Sequence, residues 1–577
     1  MKRMSRNYLW ISFSVLLLFI YTGCQSNQTA KVLPEFVSGT IQTTVYGQVE
    51  GYNDPDYGTL IWKGIPYAKA PSGDLRWKEA VDPEPWTDIY DATKAGNVGV
   101  QSSWGKTFGS EDCLNLDIYR PDSNENGLPV LVYIHGGNNQ TGTSEELNAR
   151  ILANNVNAVV VSVNYRLGLL GFNNLPALRS DNELESSGNY AILDIAKSLD
   201  WVNQNITSFG GNPENITISG FSAGGRDVMA MLISPVFKGK FQKAISLSGG
   251  MTLADYNMSA ELIAKAIAPL AVEDGVKGTE EDAEAWLLTD AQDVKDYLYS
   301  IAPERLANLM SNAGIRMAVF PHLYNDGVVL PKEGFDTENY NNVPLIMLTG
   351  SDEFSLFSRY DGTFVKSVSD DDIIAANENG AKYLYAYKYG SKLYELFNAQ
   401  ESAERMFDKY DAPIYTCDFD FGDNPEIVGD KMGHIFGSFH GIWIPFLAGE
   451  PSGFSGMFPE SFTGAGTQDL AAKFTLYIKN FLWAGDPNSE GLVEWKAWES
   501  ATEGPAQLHL DADKDSAVIT MTDERADYSA ILAEMDADTT IPEDVKAQLN
   551  SGVLSGRWFS GQLDEYYKNT NLWIGVK

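Results

Sequence analysis

The 577-residue chain is poor in cysteine, histidine and positive charge. Its three cysteines, Cys24, Cys113 and Cys417, are too few for the disulfide framework that staples small secreted domains. A chain this long can bury enough apolar surface to fold without staples, so Cys113 and Cys417 are expected to be free and buried. Five histidines, at 135, 322, 434, 440 and 509, make the search for a general base short. Lysine and arginine number 42 against 78 aspartates and glutamates, a formal net charge of −36. Such a surface repels nucleic-acid phosphates and anionic lipid headgroups, and neither is expected as a partner. The carboxylates are dispersed rather than blocked, which reads as a solvated face and not as a metal site. At 44% hydrophobic and 12% aromatic residues the composition is globular.

The apolar run LWISFSVLLLFIY at 9–21 is short for a membrane-spanning helix. Lys2, Arg3 and Arg6 precede it and Thr22, Gly23 and Cys24 follow, so residues 1–24 read as a signal segment for export. The end of that segment resembles the bacterial lipoprotein lipobox, with Tyr21 where leucine is usual. The resemblance implies that Cys24 is lipidated and becomes the mature N-terminus; the rival is a plain secretory signal. Residues 25–36 form a polar tether. The expected location is a bacterial outer-membrane lipoprotein, periplasmic or surface-facing, touching the membrane only through its lipid, or else a periplasmic or secreted protein.

From residue 37 onward a single domain is expected. GTIQTTVYGQVEGY and TLIWKGIPYA alternate and are β-branched, an antiparallel start to a sheet. LPVLVYIHGG (128–137), NAVVVSVNYRLG (157–168), NITISGFSAGG (215–225), KAISLSGG (243–250) and VPLIMLTGSDE (343–353) contain short apolar runs suited to strands buried on both faces. Between them, NYAILDIAKSLDWVNQNI (189–206) places Ile192, Ile195, Ala196, Leu199 and Val202 on one helical face. This alternation predicts an α/β fold with a mostly parallel sheet and helices on both faces. Helical insertions over the sheet are expected at about 255–320 and 356–430.

Ser222 follows a strand and precedes a helix in the pattern Gly-x-Ser-x-Gly, the sequence form of a nucleophile elbow. Gly220 and Gly224 lack Cβ atoms, which lets a sharp turn hold the serine without collision. A serine nucleophile needs a base, a group to orient that base, and donors for an oxyanion. His135, Gly136 and Gly137 end a strand in the HGG type of loop that supplies backbone N–H groups, and Ala223 offers another at a helix N-terminus. The chain order serine, acid, histidine leaves His434, His440 and His509 as bases. His440, in GSFHGIWIPF between Gly437 and Gly441, suits a loop beside a pocket, whereas His434 and His509 read as structural. Glu353 is the leading acid, with Asp352 its close rival and Asp326 a weaker one in a turn context.

FGGNPENITISGFSAG (209–224) and EDCLNLDIYRP (111–121), with Asn115 where tyrosine or threonine is commoner, resemble the two signatures of the type-B carboxylesterase and cholinesterase family. GIPYA, NYRLGLLGF, GSDEF, FHGIWIPF and YIKNFLWAGDPN agree with the same family, so the likeness covers roughly 40–500 and beyond. It implies an α/β-hydrolase fold, Ser222 as nucleophile, His440 as base and Glu353 as acid. Oxyanion donors are implied within Gly136, Gly137, Asn138, which replaces the third glycine of HGGG, and Ala223. No cofactor or metal is implied. The partner of the family's Cys113 disulfide is replaced by Gly99. Phe221 and Trp443 stand where many members carry glutamates that interact through Ser248; both are expected to make the substrate pocket apolar and unattractive to cationic esters. Trp104, Phe108, Phe354 and Phe357 are further candidates for its walls.

The expected function is a serine carboxylesterase that hydrolyses neutral, apolar or aromatic esters through an acyl-enzyme. The alternatives are a non-catalytic adhesion or binding protein on the same fold, and lipase or amidase activity.

Overall fold

A computed structural model describes residues 33–569 apart from Trp104 and Ser311. Cys24, the signal segment, most of the tether and the candidate wall residue Trp104 lie outside the described residues. Eleven strands form the main sheet: β1 Tyr52–Asp54, β2 Thr59–Pro66, β3 Asn115–Pro121, β4 Leu128–Ile134, β5 Val159–Val163, β6 Gly211–Phe221, β7 Lys243–Leu247, β8 Leu345–Gly350, β9 Ile414–Phe419, β10 Gln507–Ala512 and β11 Ala517–Thr522. They lie side by side in the order β1-β2-β3-β5-β4-β6-β7-β8-β9-β10-β11. From β5 to β10 all neighbours are parallel; β1 to β3 at one end and β11 at the other are antiparallel.

The apolar runs became strands because the sheet centre is covered on both faces. Every residue of β3, β4, β5, β7, β8 and β9 is buried, whereas β11, at the edge, alternates between exposed and half-buried. The helices that cover the sheet include α1 Tyr190–Asn205 and α2 Ala223–Ile233. The stripe Ile192, Ile195, Ala196, Leu199 and Val202 of α1 is buried as its spacing requires, and α2, apolar nearly all round, is buried along its whole length.

The first insertion is helical, led by α3 Tyr256–Glu273 and ending with a short helix at Pro303–Ala307. The second is helical through Phe407, with α4 Glu378–Asn398 its main element, and resumes only as a short helix at Pro425–Val428. The stretch expected to remain helical to about 430 instead holds β9, a strand in the body of the sheet. Tyr415, Thr416 and Asp418 dilute its apolar pattern; the Thr416 hydroxyl is accommodated by Trp498, whose Nε1 donates to Oγ1 at 2.8 Å.

The chain runs from β4 outward to β5, then returns past β4 to β6 and continues the opposite way to β7. The carboxyl ends of β4 and β6 are therefore the switch point where an open α/β sheet leaves a crevice. Ile134 leads there into His135-Gly136-Gly137, and Phe221 into Ser222. The backbones approach closely: a Cβ on Gly224 would stand 2.2 Å from Ile134 O, and one on Gly220 2.2 Å from Gly224 O. Gly224→Ala is expected to cost about 3 kcal/mol, since the obstructing atom is sheet backbone and cannot swing aside. Chemical denaturation checks this, and an unchanged midpoint would contradict the close approach.

Candidate active site

Ser222 lies between β6 and α2 at φ 57° and ψ −118°, a conformation that non-glycine residues rarely adopt. Its N–H donates to Leu247 O at 2.8 Å, and its carbonyl accepts the N–H of Arg226 at 3.0 Å, so strand and helix fix the turn from both sides. The sequence expectation that small neighbours permit this turn holds, because Gly220, Gly224 and Gly225 all sit where a Cβ would strike backbone.

His440 Nδ1 is hydrogen-bonded to Glu353 Oε2. Glu353, on the turn after β8, is fully buried. Its other oxygen accepts from the Ser248 hydroxyl, from Gly350 N at 2.8 Å and from Thr349 Oγ1 at 3.3 Å. A carboxylate withdrawn from water needs such a shell, and here both oxygens have one. Ser248, itself at φ 53°, serves Glu353. Because Nδ1 faces a carboxylate, Nε2 is the nitrogen left to accept a proton. Nε2 is buried and has no hydrogen-bond partner among the described residues. The imidazole is packed against Phe221, next to Ser222, with ring centroids 4.7 Å apart, and is flanked by Phe357 at 5.2 Å and Tyr394 at 5.9 Å. No hydrogen bond joins Ser222 Oγ to Nε2; such catalytic contacts often tighten only when substrate binds.

The rival acids are elsewhere. Asp352 accepts the N–H of Ser438 at 2.9 Å, and burial pushes its carboxyl up to about 6. Asp326 caps a turn by accepting from Val328, Val329 and Leu330 N–H groups. Among the other histidines, His434 is exposed, His509 bonds Asp420, and His322 lies 2.7 Å from an Arg226 nitrogen.

The loop after β4 turns through three left-handed residues, Gly137 at φ 95°, Asn138 at 57° and Asn139 at 56°. Asparagine at 138 keeps the conformation expected of a third glycine. The backbone N–H groups of Gly137, Asn138 and Ala223 engage no partner among the described residues. Gly136 is a correction: its N–H donates to Glu146 Oε2 at 3.0 Å and is not available to an oxyanion. Glu146 also accepts from Tyr133 Oη at 2.8 Å, and burial raises its carboxyl above the usual range. His135 is stacked on Tyr165 at 4.5 Å with Nδ1 against Gly136 O, and burial holds its imidazole down at about 4, hence neutral. Tyr165 Oη is 2.9 Å from both His135 O and Asn139 Oδ1, while Asn139 Nδ2 donates to Asp227 Oδ1 at 2.8 Å. Loop and helix α2 are thus tied by Tyr165, Asn139 and Asp227. Sequence reasoning missed these residues and Glu146; the available signal was polar residues beside glycine motifs, in NNQTGTSEE and in the GRD that follows Ser222.

Phe221 is nearly buried, and Trp443 packs edge-to-face behind it at 5.3 Å. Trp443 is fully buried, so it backs the wall and does not line the pocket. Phe354 is likewise buried, Phe108 is exposed, and Phe357 borders open space. That space is a cavity of about 520 Å³ bounded by His440, Phe357 and Asn138, next to a second of about 440 Å³ that shares Asn138 and Asn312. Cys113 and Cys417 are free and buried, as expected.

An acidic group lies beneath the histidine loop. Donor atoms of Asp418, Asp420 and His509 come within 4.8 Å of one another because Asp418 and His509 are register partners on β9 and β10. His509 Nδ1 is already bonded to Asp420 Oδ2 at 2.8 Å. Burial holds Asp418 far above the ordinary carboxyl range beside Glu395, itself pushed by burial up to about 7. These groups read as an ion pair beside a proton-sharing acid pair. Asp227 is also raised by burial, to about 7.

Acids raised by folding bind protons that the unfolded chain has released, so they stabilise below the ordinary carboxyl value and lose that contribution as pH rises through about 6–7. His135, depressed to about 4, and His322, held by burial well below the usual imidazole value, act oppositely but are outnumbered by Asp227, Glu395, Asp418 and Asp352. The melting temperature is expected to be several degrees higher at about pH 5 than at about pH 8. Calorimetry giving the reverse order would contradict this assignment of protons.

A parallel sheet presenting a strained serine at its switch point is the plan of an α/β-hydrolase. Two solved structures of a PNB esterase share that fold: at 28% and 27% identity they superpose with TM-scores of 0.63 and 0.66, covering 84% and 86% of this chain and 98% and 99% of theirs. A model of the carboxylesterase family matches residues 38–411, and the chain belongs to that family of carboxylic-ester hydrolases. It is 30% identical over 487 residues to the para-nitrobenzyl esterase of Bacillus subtilis, covering 80% of this chain and 93% of that one. It is also 30% identical over 553 residues to an acylcarnitine hydrolase of Rattus norvegicus, covering 84% and 89%.

Proposed function

We propose that Ser222, His440 and Glu353 hydrolyse carboxylic esters through an acyl-enzyme. The observation that carries this reading is the buried pair of His440 Nδ1 and Glu353 with Nε2 left bare beside the serine turn. His440 Nε2 takes the Ser222 proton as Oγ attacks the ester carbonyl, and Glu353 stabilises the imidazolium that forms. The tetrahedral oxyanion is held by the N–H groups of Gly137, Asn138 and Ala223, the last at the positive end of α2. His440 then gives its proton to the leaving alcohol. Water enters, loses a proton to His440, attacks the acyl carbon and releases the acid with Ser222 restored.

The aromatic wall of Phe221 and Phe357 around His440, backed by the fully buried Tyr394, favours an apolar or aromatic group next to the reacting carbonyl. The test of the intermediate is nucleophile partitioning. Esters sharing one acyl group but differing in alcohol are expected to give the same ratio of acid to methyl ester when methanol is added. A ratio that follows the leaving group would contradict a common acyl-enzyme.

Export and anchoring belong to the same proposal, supported by the basic start, the apolar run at 9–21 and Thr22-Gly23-Cys24. Labelled fatty acid is expected to enter the wild type but not Cys24→Ser; equal labelling of both would remove the anchor.

A further inference from the structure

We infer that the mouth of the active site contains an anion subsite centred on Arg316, which recognises a carboxylate carried by the ester substrate away from its reacting carbonyl. This rests on the esterase reading and names a substrate class within it.

Arg316 and His440 border the same cavity of about 520 Å³. Three backbone carbonyls fix the guanidinium: Nε donates to Ser555 O at 3.3 Å, and Nη2 to Gly552 O at 3.1 Å and Val553 O at 3.2 Å. Nη1 donates to nothing among the described residues, and it is not sealed from solvent. No carboxylate forms an ion pair with Arg316 among the described residues, although acids outnumber bases almost twofold in this chain. The nearby Arg557 is different: Nη2 is committed to Asp361 Oδ2 at 2.9 Å and the side chain is buried. Two arginines, Arg316 and Arg557, and one aspartate, Asp361, border the cavity, a formal charge of one positive at its mouth on a molecule of −36. Burial lowers the Arg316 pKa, which marks its charge as partly desolvated. Asp361 and Asp564 act on it only from beyond ion-pair distance, and a partly desolvated cation with no direct pair among the described residues gains most from an anion that arrives with the ligand.

The same segment reaches the oxyanion loop, where Asn138 Nδ2 donates to Asn312 Oδ1 at 3.2 Å. A substrate whose carbonyl sits on that loop would therefore have its outer part directed along 312–316. A single open guanidinium nitrogen suits a carboxylate held at one edge. The aromatic wall by His440 takes the apolar part, so the matching ligand is an ester with a non-polar group at the reacting centre and a negative charge at its far end.

The test compares two matched pairs: the mono-4-nitrophenyl ester of suberic acid with its ω-amide, and 4-acetoxybenzoate with 4-acetoxybenzamide, each corrected for its rate in hydroxide. The pairs carry the charge on the acyl and alcohol sides in turn. In at least one pair the carboxylate is expected to have a kcat/KM about tenfold higher than the amide at low salt, expressed in KM. That ratio is expected to fall several-fold in about 0.5 M NaCl, a readout that needs no variant. Arg316→Gln is expected to bring the ratio to one or below, and Arg316→Lys to restore most of it. Amides hydrolysed as well as carboxylates in both pairs, or a ratio untouched by Arg316→Gln, would overturn the subsite and leave the esterase reading standing. Failure to hydrolyse any of the four compounds would overturn both.

Discussion

Ser222→Ala is expected to reduce kcat for an activated ester by ~10⁴–10⁶-fold, with the protein folded and at least as stable as the wild type. The hydroxyl is the only atom removed, and it supports no part of the fold. The turn is held by main-chain bonds from Ser222 N to Leu247 O and from Arg226 N to Ser222 O, which alanine keeps. Residual hydrolysis should come from Gly137, Asn138 and Ala223 polarising a bound carbonyl towards water, and should lose the leaving-group-independent methanol partitioning of the wild type. A variant retaining a tenth of wild-type kcat would mean that another group attacks the ester.

Glu353→Gln is expected to lower kcat by ~10⁴-fold, whereas the adjacent Asp352→Asn changes it by less than about tenfold. Glutamine keeps the shape of the side chain, and its carbonyl oxygen can still accept from both Ser248 and Gly350. It loses the charge that stabilises the imidazolium, and its amide can present hydrogen to Nδ1 and so favour the tautomer with the proton on the wrong nitrogen. Asp352 is bonded to Ser438 N instead of to the imidazole, and its carboxyl, raised to about 6, is already close to giving up its charge. The two residues are neighbours in sequence and differ only in which way the turn after β8 sends them. A larger loss at Asp352 would transfer the orienting role to it.

The central architecture was legible because its causes are local. The five apolar runs became β4, β5, β6, β7 and β8, since only strands covered on both faces can be apolar without interruption. The Gly-x-Ser-x-Gly turn was legible because close backbone approach leaves no substitute for glycine at 220 and 224. Long-range pairing was not legible. β9 contains tyrosine, threonine and aspartate and disguises itself as part of a helical insertion; it is buried because β8 and β10 flank it. Gly136 carried the right motif but lost its N–H to Glu146, ten residues further along a loop whose path no periodicity reports. Trp443 was placed beside the pocket by its nearness to His440 in sequence, yet it is fully buried and packs against Phe221, which in turn meets the imidazole. Arg316 is invisible to sequence reading for a similar reason: its lack of a directly paired carboxylate among the described residues is a property of three dimensions.

The central claim is that residue 222 is the nucleophile and residue 440 its base. Peptide mass mapping after reaction with a fluorophosphonate tests it most directly. The account predicts one covalent adduct per chain, on Ser222, formed orders of magnitude more slowly in His440→Ala. An adduct on another residue, or labelling of Ser222 at an undiminished rate without the imidazole, would contradict it.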